Sequence, residues 1–144
     1  MQPNARVILK QYRVSITRTR IFLLNLFLQS NEALTLQYFL NNPLHHLDRT
    51  TIFRTLNLFV EKKIILRIPA ADGINNYLFL QAKDPVHSYF ICRECKKIVP
   101  MEMIVLPEIK LPDDFIYQNT EIKVSGLCSS CRSRKQNHLS SNHI

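Results

Sequence analysis

Residues 48–62 read Asp48-Arg-Thr-Thr-Ile-Phe-Arg-Thr-Leu-Asn-Leu-Phe-Val-Glu-Lys62, and residues 64–80 read Ile64-Ile-Leu-Arg-Ile-Pro-Ala-Ala-Asp-Gly-Ile-Asn-Asn-Tyr-Leu-Phe-Leu80. In the first stretch Asp48 is a good N-cap, and Ile52, Leu56, Phe59 and Val60 recur at i, i+4, i+7 and i+8. That spacing predicts a helix from Arg49 to about Lys62 with one buried stripe. Thr50, Thr51, Arg54 and Asn57 fall largely off the stripe. The second stretch predicts strands over Ile64–Ile68 and Asn76–Leu80, joined by Pro69-Ala-Ala-Asp-Gly73 with an Asp-Gly turn signal. A helix followed by a hairpin is the second half of a winged helix-turn-helix.

The preceding residues supply the first half. Val7, Ile8 and Leu9 amid Arg6, Lys10 and Arg13 predict a helix over residues 3–12. Thr17 can cap a second helix, Arg18 to Gln29, with Ile21, Leu24 and Leu28 on its apolar side. A third, short helix starts at Thr35 and stops near Leu40, before Asn41-Asn42-Pro43. Residues 1–82 are therefore expected to form a winged-helix DNA-binding domain. In that arrangement the last helix enters the major groove with its N-terminal residues at the base edges. Arg54 suits guanine or a phosphate, and Thr50 and Thr51 suit a phosphate or a thymine methyl.

Charge supports a polyanion partner. The net charge is +8, and residues 1–83 hold 11 Lys+Arg against 4 Asp+Glu, while residues 84–144 hold 8 against 7. A basic module of this kind suits double-stranded DNA.

The nearly neutral half carries all four cysteines, as Cys92-Arg-Glu-Cys95 and Cys128-Ser-Ser-Cys131, with 32 residues between the pairs. Two residues between thiols let both sulfurs of a pair turn to one point, and two such pairs make a tetrahedral all-thiolate site. This is the chemistry of structural zinc, one ion per chain. Residues 83–132 are expected to be a small zinc-stapled domain, its sheet stapled at both ends. Its candidate strands are Tyr89–Ile91, Ile98–Met101, Phe115–Tyr117 and Ile122–Ser125. Pro107 and Pro112 bracket Glu108–Leu111 and forbid a long helix there. The Ser/Asn-rich residues 133–144, with His138 and His143, are expected to be a disordered tail.

At 144 residues, 46% of them apolar, the chain is one ordinary domain or two small ones. No secretory signal opens it, and Ile21–Leu28 is too short to span a bilayer. The expectation is a cytoplasmic protein whose thiols bind metal rather than pair as disulfides. No Ser/His/Asp pattern, phosphate loop or open-position zinc motif points to an enzyme. A complete four-cysteine site leaves no coordination position for a substrate.

Several stretches match one known family. Arg49-Thr-Thr-Ile-Phe-Arg-Thr-Leu56 resembles the Ser/Ala-Thr-Val-Tyr-Arg-x-Leu recognition helix of ferric uptake regulator (Fur) family repressors, with Phe53 at the usual Tyr. Ile16-Thr-Arg-Thr-Arg20 is similar to the family's Leu-Thr-x-x-Arg. His87-Ser-Tyr-Phe-Ile-Cys-Arg-Glu-Cys95 resembles its His-x-His-x-x-Cys-x-x-Cys, and Gly126-Leu-Cys-Ser-Ser-Cys131 its closing Gly-x-Cys-x-x-Cys. The resemblance covers about residues 13–132. It implies an α+β protein: an N-terminal winged helix-turn-helix, then an α/β dimerisation domain with a four-cysteine zinc site. It also implies a homodimer on a palindromic operator, usually as a repressor. Structural zinc carries over to Cys92, Cys95, Cys128 and Cys131, and DNA reading to Thr51, Phe53 and Arg54. The full set expected to meet DNA is Arg20, Arg49, Thr50, Thr51, Phe53, Arg54 and Asn57.

The pattern breaks at the sensory metal. The family's usual ligands there fall on Ala33, Phe79, His87 and Tyr89, and only His87 is a ligand. At the family's other site a second His falls near Thr120, and Ser88 replaces an acid. One imidazole beside Ala and Phe cannot hold a divalent ion, which needs three or four N, O or S donors. The sensory site is expected to be absent or rebuilt around His87 with Glu102, Glu108, Asp113 or Asp114, or at His45-His46. The alternative function is a zinc-thiolate redox switch controlling DNA binding, with Arg93, Lys96, Lys97 and Arg132 lowering the thiol pKa values.

Overall fold

The computed structural model describes residues 3–42, 47–81, 86–101 and 108–141, with side chains through residue 137. The chain divides into two compact units, Met1–Ala82 and Lys83–Ile144. The first contains α1 (Ala5–Gln11), α2 (Arg18–Gln29), β1 (Leu34–Thr35), α3 (Leu36–Leu40), α4 (Arg49–Glu61), β2 (Ile65–Pro69) and β3 (Asn75–Phe79). The second contains β4 (Val86–Cys92), β5 (Ile98–Pro100), β6 (Thr120–Gly126) and α5 (Ser129–Ser141).

Local chemistry sets the helix limits of the first unit. The Thr17 side chain accepts from the Arg20 N–H and Asp48 from the Thr51 N–H, so both expected caps are formed; Thr35, expected to begin the third helix, caps it instead, accepting from the Tyr38 N–H. α4 stops without a glycine. Lys63 takes φ 61°, its N–H reaches the Val60 carbonyl at 3.0 Å, and the Ile64 N–H reaches the Phe59 carbonyl at 2.9 Å. These bonds satisfy carbonyls that the helix end would otherwise leave unpaired. Ile64 is thereby turned into the core, where it is fully buried.

One hydrophobic core holds the unit. Leu23, Leu24 and Phe27 from α2, Phe39 from α3 and Ile52, Leu56 and Phe59 from α4 meet Ile65 and Tyr77 of the sheet. Val60, at the edge of the α4 stripe, is only half-buried, and Phe27 and Phe39 pack with ring centroids 5.2 Å apart. The sheet order is β1-β3-β2, all antiparallel, with Ile65 opposite Phe79 and Pro69 opposite Asn75. Gly73, at φ 82°, makes the turn that the Asp-Gly pair announced. β1 was not foreseen, because two residues carry no periodicity. Its pairing of Leu34 with Tyr77 completes the small sheet of a winged helix-turn-helix.

The second unit is a three-stranded sheet in the order β5-β4-β6, with β4 antiparallel to β5 and parallel to β6. Three expectations need correction. Phe115–Tyr117 forms no strand and is exposed; its three consecutive apolar residues have no partner strand among the described residues. The cysteines do not staple the sheet at both ends. β4 and β6 run parallel, Cys92 opposite Gly126, so both cysteine pairs gather at one end. Residues 133–141 are not a disordered tail but continue α5. Composition there suggested disorder, yet Cys131 anchors the first turn, and Lys135 pairs with Glu94 at 2.9 Å. No helix among the described residues is long and apolar enough to cross a membrane.

Leu56→Ala should lower the unfolding free energy by about 2–5 kcal/mol, since Leu56 is fully buried in that core. Denaturant titration followed by circular dichroism measures this, and a loss under 1 kcal/mol would contradict the packing. Hydrogen bonds from the Thr51 hydroxyl and N–H, with the charge of Arg54, hold the Asp48 carboxyl below the usual carboxylate range. A depressed pKa contributes stability above the ordinary value and loses it as pH falls through the lowered one. The wild-type margin in Tm over Asp48→Asn should therefore be present at neutral pH and shrink in acid, as the pH falls below the ordinary Asp range and through the lowered pKa. Thermal melts with the same margin at neutral and acid pH would refute it.

Candidate nucleic-acid interface and metal centre

Because α4 turns Ile52, Leu56 and Phe59 inward, the opposite side chains must face water. Arg49, Thr50, Phe53 and Arg54 are exposed on that face, and Phe53 keeps 43% of its surface accessible. The Phe53 ring beside two arginines offers apolar contact as well as charge. Thr51 is half-buried, with its N–H on Asp48 at 2.8 Å and its carbonyl accepting from the Thr55 hydroxyl at 2.9 Å. Asn57 is half-buried too, and its side-chain oxygen accepts from the Arg67 guanidinium. Arg20 lies on α2, where its guanidinium donates to the Ser15 carbonyl at 2.8 Å and to the Ser15 hydroxyl. Of the seven expected DNA residues, the fold thus brings Arg49, Thr50, Phe53 and Arg54 onto one open face. Thr51 and Asn57 flank it within α4, and Arg20 belongs to another helix. Sequence reasoning missed Arg67, whose bond to Asn57 joins residues of different elements.

At the end of the second unit the four cysteine sulfurs lie within 4.8 Å of one another. Two local structures place them. The β4–β5 turn closes with the Lys96 N–H on the Cys92 carbonyl at 3.0 Å and the Cys92 N–H on the Lys97 carbonyl at 2.9 Å, with Lys96 at φ 66°. The other pair spans the first turn of α5, where the Arg132 N–H meets the Cys128 carbonyl at 2.9 Å. The parallel strands deliver both turns to one point, and the Arg93 N–H bonds the Gly126 carbonyl at 2.8 Å. Gly126 fits closely there: a Cβ would stand 3.2 Å from the Phe90 ring, which would have to shift by a few tenths of an ångström.

The thiols are unbridged. The Cys95 and Cys128 sulfurs are 3.7 Å apart. A tetrahedral ion with bonds of about 2.3 Å spaces its sulfurs by about 3.8 Å, so the donor set fits a thiolate-bound metal. Cys92 and Cys131 are buried, while Cys95 is exposed. Backbone N–H groups of Cys128 and Cys95 lead in lowering the Cys92 thiol to about 6, and burial, followed by the neighbouring thiols, pushes Cys131 up to about 12. The Cys128 N–H lies 3.4 Å from the Cys92 sulfur. The leading causes are thus backbone donors and burial, not the charges of Arg93, Lys96, Lys97 and Arg132. One cation does reach a sulfur: an Arg134 guanidinium nitrogen is 3.6 Å from that of Cys131.

Among the described residues, these cysteines are the only three or more His, Cys, Asp or Glu side chains whose ligand atoms converge. Ala33 and Phe79 carry no ligand atom. Tyr89 is buried, and burial together with Glu121 raises its phenol pKa, so it stays protonated. His87 pairs in register with Glu121, a neighbour that only the parallel pairing reveals. Glu108, Asp113 and Asp114 are exposed in an irregular stretch and do not converge with His87. His45-His46, Glu102 and His143 lie outside the described residues, as does the side chain of His138.

Comparison with known proteins agrees with this geometry. The ferric uptake regulation protein of Campylobacter jejuni is 26% identical over 137 residues, covering 89% of this chain and 86% of its own length. A solved zinc uptake regulator complexed with zinc and DNA superposes with a TM-score of 0.64 at 18% identity, covering 92% of this chain and 93% of that one. The Vibrio cholerae ferric uptake regulator superposes with a TM-score of 0.59 at 15% identity, covering 85% and 98%. At such identities the superpositions speak for the fold alone. The model of the ferric uptake regulator family matches residues 11–127, most of the chain, and with the winged helix and the four-cysteine centre in place, the chain belongs to that family.

Proposed function

We propose that this protein is a sequence-specific DNA-binding transcriptional regulator, acting as a homodimeric repressor and carrying one structural zinc per chain. The observation that carries the reading is the α4 surface, where exposed Arg49, Thr50, Phe53 and Arg54 stand opposite a fully buried stripe. Such a helix, on a unit rich in Lys and Arg, is suited to base edges in a major groove and to the flanking phosphates. The zinc uptake regulator solved with zinc and DNA lends support to both partners.

Zinc at Cys92, Cys95, Cys128 and Cys131 is supported by the sulfur spacing and by the scarcity of other core in the second unit. Its buried apolar and cysteine side chains, among the described residues, are Tyr89, Cys92, Ile98 and Cys131. A unit this small needs a cross-link, and a complete thiolate shell supplies one without chemistry. Dimerisation through this unit is supported by Phe115, Ile116 and Tyr117, of which Ile116 is 87% exposed, together with Val124 and Leu127. An apolar group of this kind is suited to a second copy of the chain. The redox-switch alternative gains no support: no observation beyond the thiols themselves favours it.

The usual sensory metal is proposed to be absent, because Ala33 and Phe79 carry no donor atom beside His87. DNA binding then follows the four-cysteine zinc and no second ion.

Selection from random duplexes, followed by footprinting, tests the main reading: an inverted repeat should emerge, bound by a dimer, and should lower transcription from a promoter containing it. No enrichment of any sequence would overturn it. Arg54→Ala should weaken operator binding by about 1–3 kcal/mol if its guanidinium takes a base, and unchanged affinity would remove it from the reading set. Metal analysis should find one zinc per chain, lost in Cys128→Ser. With that zinc in place, added Zn²⁺, Fe²⁺ or Mn²⁺ should leave the operator Kd unchanged. A large metal-dependent gain would mean that a sensory site has been rebuilt.

A further inference from the structure

We propose that Arg67, on the wing, is a positioning residue for DNA recognition: through Asn57 it locks the orientation of α4. The inference rests on α4 being the DNA-reading helix. Arg67 sits in β2 opposite Tyr77 of β3, with its guanidinium carbon 5.9 Å from the centre of the Tyr77 ring. That is within the reach of a cation–π contact. One guanidinium nitrogen donates to the side-chain oxygen of Asn57. Asn57 stands three residues after Arg54 and four after Phe53, so it lies beside both on the helix. The tie therefore acts one turn from the side chains that face DNA.

Two features distinguish this contact from ordinary packing. First, the Arg67 Nε is a buried nitrogen with no hydrogen-bond partner, the one such side-chain atom found among the described residues. An unpaired buried N–H costs free energy, and an unbranched apolar chain would fill the same space without that penalty. Stability alone therefore does not explain an arginine here, and departures from local rules concentrate at functional sites. Second, guanidinium is a planar donor with fixed directions, so its bond to Asn57 and its placement over Tyr77 together constrain the angle of α4 against the wing. A lysine ammonium would supply charge but not that geometry.

The same contact assigns Asn57. Guanidinium only donates, so Asn57 must present its oxygen to Arg67. Reading adenine in the bidentate manner needs that oxygen and the amide nitrogen together. The Arg67 bond takes one of the oxygen's two lone pairs and fixes the orientation of the amide, so Asn57 is assigned to holding the helix instead of reading a base. Phosphate contacts tolerate a small rotation of α4, whereas hydrogen bonds to base edges do not. Loss of the tie should thus erode discrimination between sequences more than affinity for DNA as such.

The test uses the full zinc-loaded chain, its selected operator and a scrambled duplex of equal length at one salt concentration. Arg67→Lys, Asn57→Ala and the double variant are compared, with thermal melts to confirm folding. Arg67→Lys should lower the operator-to-scrambled affinity ratio about tenfold while binding the scrambled duplex as the wild type does. Asn57→Ala should show a similar loss, and the double variant no further loss, because both remove one interaction. Additive losses would overturn the inference, since they would mean that each residue meets DNA independently. So would an unchanged ratio in Arg67→Lys, including the case where Asn57→Ala alone loses discrimination. If the wild type itself prefers no sequence, the DNA-reading function fails, and that result is distinct from either.

Discussion

Burial of Ile52, Leu56 and Phe59 beneath α4 is the constraint on which the first unit depends. These side chains are fully buried, and each contributes roughly 1.5–3 kcal/mol by leaving water. They also fix the rotation of the helix about its axis. Once the stripe is inside, Arg49, Thr50, Phe53 and Arg54 have no other place than the surface. Stability and function are therefore opposite faces of one periodic pattern. The Asp48 cap and the left-handed Lys63 set the ends of that pattern, and the Arg67–Asn57 bond sets its angle against the wing.

The second unit is organised by a different force. Its buried apolar surface is small, and its longest pairing is the parallel register of β4 with β6, from Val86↔Thr120 to Cys92↔Gly126. Parallel neighbours cannot be joined by a tight turn, so a long connection must close before any contact rewards it. A metal ion held by the four cysteines, as proposed, would offset that entropy where the two strands end together. The exposed Phe115, Ile116 and Tyr117 lie in the connection itself. This division of labour would account for a unit with little buried core that leaves apolar side chains in water.

Much of the first unit was legible because its signals are local. Caps at Thr17 and Asp48 act over three residues, the α4 stripe over eight, and the Asp-Gly turn over two. Each formed where its spacing put it. The cysteine pairs were legible for the same reason: two residues between thiols is a local geometry. What failed were features without a local signal. β1 is too short for a period, Phe115–Tyr117 has the residue types of a strand but finds no partner, and α5 has the composition of a tail.

The sequence by itself therefore determined the helices of the winged unit, its hairpin, the side of α4 that faces out and the four cysteines that converge. It also determined that Ala33 and Phe79 cannot ligate a metal, since no fold gives those side chains a donor atom. Tertiary structure alone decided that the cysteines meet at one end of the sheet, that His87 lies beside Glu121, and that Arg67 occupies the oxygen of Asn57. The physical reason is common to all three. Each depends on which strand or helix lies next to which, and that is settled by packing and backbone pairing between distant residues, not by the spacing of neighbours along the chain.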